Sequence, residues 1–256
     1  MSLRSEVWQS VIQAIEKAVP EYDFVNEKVS LGRAQKARDY AAQQLKLESG
    51  MLVLDAGIGP GTMSQTVLSE TADLTIVGLD ASTRLLSAAR GRLGFSYGDH
   101  LHLVRGVFEA LPFRDKSFSR IISAYAFRDA RNRSFAIDEF YRASSENGIF
   151  AIADLGNPGN RLKRSLSSIY VQYVMPVIAK LSMSGSIDGN PWRMIFPTSQ
   201  ALGSNDELVK SLGRRFSNVT ITEFALGGMI VIFARKDQFG GTSRSTSALF
   251  ESSSDV

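Results

Sequence analysis

Cysteine is absent from the 256-residue chain, which excludes disulfides, thiol catalysis and cysteine-ligated metals. Histidine is almost as scarce. His100 and His102 alternate on one predicted strand and share a face, but two imidazoles without neighbouring ligands make a poor metal site, and no metal is expected. No apolar run approaches the roughly 20 residues that cross a bilayer. The first residues lack a cationic stretch leading into an apolar core and cleavage site, so no signal peptide is expected and the protein reads as cytoplasmic. Lysine is also missing where a phosphate-binding loop would need it: Gly61 is followed by Thr62 and Met63.

Hydrophobic residues make up 44% and charged residues 21%, the balance of a globular chain that buries a core. A net charge of +3 only weakly favours polyanions. Basic residues are not interleaved with aromatics along one element, so nucleic acid is not an expected partner.

Periodicity predicts an amphipathic helix over 6–19, an irregular stretch through "YDFVNEKVSLG", and a helix over 33–47. Apolar strands then alternate with helices. "MLVLDA", "LTIVGLD", "LHLVRG", "RIISAYA" and "GIFAIADL" are the strands, the last opening after the turn Asn147-Gly148. Such alternation predicts a doubly wound, mostly parallel α/β sheet. "NVTITEFAL", Gly227-Gly228 and "MIVIFARK" form a hairpin, so the last strand is expected to run antiparallel. Residues 156–202 are rich in Met and aromatic side chains, including Tyr170, Tyr173, Met175 and Trp192. They read as an added packing layer or as a helical lid over an apolar ligand. Residues 237–256 read as a flexible tail.

The chemistry is concentrated in "VLDAGIGPGT". A dinucleotide fingerprint fails, because the sixth position counted from Gly57 is Thr62 and not glycine. Asp55, ahead of Gly57, Gly59, Pro60 and Gly61, would repel a pyrophosphate and favour a cationic ligand at the mouth of the turn. Asp80 ends the next strand, where an acid can accept both ribose hydroxyls, with Ala81 and Ser82 beside it. S-adenosylmethionine, with a sulfonium, an ammonium and no phosphate, fits this set.

These motifs resemble a Rossmann-like S-adenosylmethionine-dependent methyltransferase. More narrowly, the chain is similar to the ubiquinone/menaquinone biosynthesis C-methyltransferase family from about Tyr22 to Lys236. "YDFVNEKVSLG", "GVFEALPFRDKSF", "AYAFRDA", "YVQYVMP" and "ALGGMIVIFARK" carry the similarity. It implies residues 1–47 as an N-terminal helical cap and 48–236 as the methyltransferase domain. The resemblance places adenine near Val107, Phe108 and Glu109, and the fourth-strand residues Ser123 and Ala124 beside the cofactor. Departures are Val107 for the family acid, Ser119 for an aspartate, Arg128-Asp129 for Arg-Asn, and Glu146-Asn147-Gly148 for Pro-Gly-Gly.

A small lipophilic aromatic substrate, a polyprenyl quinol precursor, is the implied acceptor. Arg128 is carried over from the family arginine and would stabilise a phenolate; alternatively it is a surface arginine in a charged turn. Asp154 is a candidate base or a structural cap, and Tyr125 a residue of the cofactor cleft. The basic run "RLKR" at 161–164 suggests a peripheral membrane contact, or simply a solvated face. A homodimer stays open. So do methylation of another small molecule or of RNA, and non-catalytic binding of S-adenosylmethionine.

Overall fold

The computed structural model describes residues 5–71, 73–183 and 189–237, together with the backbone of 250–251. Three helices come first: α1 (Ser5–Ala18), α2 (Tyr22–Ser30) and α3 (Arg33–Gln44). The segment expected to be irregular is thus a helix. Tyr22, Val25 and Val29 recur at helical spacing and Val25 and Val29 are buried. The helix stops where Leu31 and Gly32 both take positive φ, 54° and 77°.

Strands and helices then alternate: β1 (Leu52–Ala56), α4 (Thr62–Glu70), β2 (Thr75–Asp80), α5 (Thr83–Tyr97), β3 (Leu101–Arg105), β4 (Phe118–Ala124), α6 (Arg133–Ala143) and β5 (Ser144–Leu155). α7 (Arg161–Ile169), a π-helical turn (Tyr170–Val174), α8 (Met175–Ser182) and α9 (Ile195–Ala201) follow. α10 (Asn205–Leu212), β6 (Asn218–Phe224) and β7 (Met229–Arg235) close the sheet, beside a two-residue strand β8 (Phe250–Glu251).

The strands are ordered β3-β2-β1-β4-β5-β7-β6-β8. Strands β1 to β5 pair in parallel, and β7 runs against both β5 and β6, so the expected antiparallel strand is present. Asn147-Gly148 does not precede β5. It lies inside it, with Asn147 at φ 58° and the register slipping between Phe118↔Ser144 and Arg120↔Ile149, as a bulge does. Of the presumed tail, 238–249 and 252–256 lie outside the described residues, while 250–251 pair with Ile221 and Thr222 of β6.

Each sheet face buries its own core. One face packs against α6 and α10 around Phe127, Phe140, Phe150 and Phe216. The other packs against α3, α4 and α5 around Leu45, Val67, Ile76 and Leu93. A third cluster joins the N-terminal helices to the 156–202 segment through Ala18, Val25, Val29, Val171, Met175 and Trp192. From β1 the chain winds outward to β3 and then returns to β4 on the other side of β1. The crevice outside the carboxyl ends of β1 and β4 is therefore the topological switch point, where ligands bind in such sheets.

Phe140 links core to crevice. Its ring lies 4.5 Å from Phe150 and 5.5 Å from Phe108, which leans on the turn after β1. Phe140→Ala should cost about 3–5 kcal/mol, read as a lower denaturant midpoint at unchanged slope.

Candidate active site

The turn after β1 is a glycine cradle. Gly57, Gly59 and Gly61 take φ of 77°, 56° and 89°. A β-carbon on Gly57 would lie 2.4 Å from the Ala126 methyl and 3.0 Å from the Phe108 ring, so only glycine fits there. Asp80 secures the cradle from the end of β2: its Oδ2 accepts from Gly59 N–H at 3.0 Å and its Oδ1 from Ser82 N–H at 2.9 Å. Burial raises its carboxyl above the usual range, against the hydrogen bonds of Ser82 and Gly59. Ser82 caps α5 by accepting from Leu85 N–H and donates to the Glu16 carboxylate, which brings α1 over the cleft. The Ala81 carbonyl accepts from Arg105 Nε at 3.1 Å.

Gly57, Gly59, Pro60, Asp80, Ala124 and Tyr125 line a narrow cleft of ≈ 50 Å³. Next to it is a much larger apolar cavity of ≈ 360 Å³, walled by α1, α2 and the 156–202 segment, with Tyr170, Met175 and Trp192 among its lining. Tyr173, expected in the same wall, is instead exposed on the outside. Ile15, Tyr22, Arg38, Tyr125 and Asp129 border both spaces, so the cleft and the cavity meet at these five side chains.

Several candidate residues stand elsewhere than expected. Asp55 is buried beneath the turn and is not part of the cleft lining, because Ser64 of α4 donates to its Oδ2 at 2.6 Å and holds it inward. Its Oδ1 has no hydrogen-bond partner among the described residues, and burial pushes its carboxyl up to about 7 despite the Ser64 hydrogen bond. Val107 and Phe108 do not line the cleft; the Phe108 ring packs on Phe140. Glu109 is engaged in the framework, accepting from Asn132 N–H at 2.8 Å and lying 3.6 Å from Arg131. Ser123 is fully buried, and its hydroxyl has no partner among the described residues.

The loop after β4 holds the remaining candidates. Arg128 is not a surface arginine. It is 6% exposed, faces the apolar cavity, and donates through one nitrogen to Asp154 Oδ1 and to the Tyr125 carbonyl, both at 2.7 Å. Burial opposes its charge, yet the Asp129 and Asp154 carboxylates beside it raise its pKa overall. Asp154 also accepts from the backbone N–H groups of Arg128 and Leu155, is fully buried and does not reach the cavity. That placement makes it an anchor for Arg128, which is the structural one of its two readings. Tyr125, at φ 58°, has its hydroxyl pointed at the Ala34 carbonyl and the Met229 sulfur, and burial raises its pKa.

Two residues were missed by sequence reasoning. Arg38 of α3 is buried, lies 4.8 Å over the Tyr125 ring and forms no ion pair among the described residues. Its signal was a charge on the buried stripe Ala34, Ala37, Ala41. Asp129 follows Arg128 and borders both spaces.

A reversed β7, a glycine cradle at the switch point and an acid closing β2 define an S-adenosylmethionine-dependent methyltransferase. Residues 2–214 match the model of the ubiE/COQ5 methyltransferase family, and the chain belongs to that family. It is similar to the ubiquinone/menaquinone biosynthesis C-methyltransferase UbiE of Geotalea uraniireducens, 27% identical over 69% of this chain and 76% of that protein. The demethylmenaquinone methyltransferase of Deinococcus radiodurans is 26% identical over 87% and 92% of the two chains. Among solved structures, a putative S-adenosyl-L-methionine-dependent methyltransferase from Methanococcus maripaludis shares the fold. Its TM-score is 0.57 at 18% identity, covering 89% of this chain and 95% of that one.

Asp55 supplies a test of its own. A carboxyl whose folded pKa lies above its unfolded value binds more protons when folded, so its contribution to stability is lost as pH rises from about 4 through about 7. Asp55→Asn keeps an acceptor for Ser64 and cannot ionise. It should raise the melting temperature over wild type at pH 8 and lose that advantage at pH 4 in differential scanning calorimetry.

Proposed function

We propose that this enzyme C-methylates the ring of a lipophilic quinol that carries a prenyl tail. The observation that supports this best is the apolar cavity opening onto the cofactor cleft, with Asp129 at the meeting point and Arg128 beside it in the cavity wall. The names of the relatives in ubiquinone and menaquinone biosynthesis point the same way. Bound S-adenosylmethionine supplies an electrophilic methyl group on a positively charged sulfur. In this reading Asp80 accepts from the ribose hydroxyls, the glycine cradle admits the methionine portion, and Arg38 pairs with its carboxylate. Asp55, buried beneath the turn, adds negative charge under that cationic ligand once it ionises. Arg128 stabilises the oxyanion that forms on the acceptor ring.

The tail provides most of the substrate recognition, since each buried methylene contributes about 0.8 kcal/mol, or about fourfold in affinity. A geranyl-bearing naphthohydroquinone should therefore be methylated with a far lower KM than the tail-less ring, at similar kcat. Equal KM values, or efficient methylation of RNA by the same preparation, would overturn the quinol reading.

The same reading gives the outer face of α7 and α8 a role. Leu162, Ile169, Tyr173, Val177 and Leu181 are exposed along it, and the exposed Leu31, Leu166 and Leu226 belong to the cavity lining. Of the basic run, Arg164 is occupied by the Pro158 carbonyl, while Lys163 lines the cavity. An apolar face continuous with the cavity suits a lipid surface from which a prenylated ring is drawn. Sedimentation with phosphatidylglycerol vesicles tests this. The double variant Leu162→Asp and Leu181→Asp should lose at least about tenfold in vesicle affinity. Unchanged affinity, or a monomer–dimer shift in its place, would assign the face to a second copy of the chain.

A further inference from the structure

Asp129 is the only carboxylate among the described residues that borders both the cofactor cleft and the apolar cavity. Both its oxygens are buried, and neither has a hydrogen-bond partner among the described residues. The Thr198 hydroxyl lies close enough to act as a weak hydrogen-bond partner of Asp129 but donates to the Ile195 carbonyl. Arg128 Nε, without a hydrogen-bond acceptor among the described residues, lies 3.7 Å from Asp129 Oδ1. A buried carboxylate so poorly supplied with donors is unfavourable for folding, so its place where two reactants would meet calls for a use. Its competitors are occupied: Asp154 collects three donors, Asp80 holds the cradle, and the Tyr125 hydroxyl is turned to Ala34.

We propose that Asp129 is the catalytic proton acceptor, taking the hydroxyl proton of the acceptor ring while Arg128 holds the oxygen left behind. This rests on the quinol reading above. The O–H bond breaks toward the carboxylate and its electron pair moves into the ring. The adjacent ring carbon bonds to the methyl group as the sulfur–methyl bond breaks, that pair staying on sulfur. The hydrogen on the methylated carbon leaves to water as a proton, restoring the aromatic ring. The ring oxyanion then recovers its proton from Asp129, so each turnover releases one proton overall.

The electrostatic setting agrees. Burial pushes the Asp129 carboxyl up to about 6; Arg128 and Thr198 oppose this, and Asp154 and Asp80 reinforce it. Tyr22 from α2, Arg38 from α3 and Tyr125 face the same junction. The group is thus ionised at neutral pH yet more basic than an ordinary carboxylate, as general-base work favours. Because the ionised form is the active one, kcat/KM should rise with pH through about 6.

Two measurements on the full chain decide it. In the first, wild type and the isosteric Asp129→Asn are assayed across pH 5–9 with S-adenosylmethionine and a geranyl-bearing naphthohydroquinone. Asp129→Asn should lose about 100-fold or more in kcat, keep KM within a few-fold, and lose the acidic limb of the profile. A variant that retains wild-type kcat, or a wild-type kcat/KM that stays flat down to pH 5, overturns the proposal. The second compares acceptors that differ in hydroxyl acidity. A fluorinated geranyl-bearing naphthohydroquinone, whose ring hydroxyl ionises with little help, should restore kcat of Asp129→Asn to within about tenfold of wild type at pH 8. Unrestored turnover in the variant, with wild type active on the same ring, overturns the proposal. Wild type that methylates neither ring would sink the quinol reading alone.

Discussion

A guanidinium buried between two carboxylates holds the reactive end of this molecule in place. Asp154, next to last in β5, gathers three donors, two of them from Arg128; Arg128 in turn grips the Tyr125 carbonyl. Breaking such a pair strands a charge away from water, at a cost of about 3–5 kcal/mol. The position of Asp154 is itself set by the pairings on either side, Ala153↔Ala124 toward β4 and Asp154↔Ile230 toward β7. The ion pair therefore converts sheet register into the position of a loop. Tyr125, Arg128 and Asp129 stand where they do because the sheet is aligned as it is.

Much of the fold was legible from local pattern. The five parallel strands announce themselves as short apolar runs, and Gly227-Gly228 marks the hairpin. The failures share a cause, which is that the deciding contacts are distant in sequence. α2 looked irregular because its partners come from far along the chain: Trp192 Nε1 donates to Asn26 at 2.9 Å, and Tyr170 to the Val29 carbonyl at 2.7 Å. The bulge at Asn147-Gly148 looked like a turn because dipeptide chemistry does not say whether neighbouring strands continue past it.

The site divides along the same line. Its glycines and Asp80 could be read because backbone conformation and strand ends are encoded locally. Charges were harder, since an acid's role depends on which donor reaches it. Ser64 draws Asp55 inward, Asn132 takes Glu109, and Arg128 gives its hydrogen bonds to Asp154 and leaves Asp129 a looser ion pair at 3.7 Å. Two acids that flank one arginine, Asp154 and Asp129, acquire opposite characters only once the loop closes on the sheet.

The position of β7 also bears on how the chain is made. Strand β5 lies between β4, its predecessor in the sheet, and β7, about eighty residues further along the chain. During synthesis β5 presents an apolar, unpaired edge until the final hairpin has left the ribosome, and long-range pairing of this kind is slow. Asp154 lies on that waiting strand, so the loop carrying Arg128 reaches its final shape only after the last hairpin docks. Competence for chemistry waits on this hairpin, and nascent chains stalled before residue 229 would expose the edge that β7 later covers.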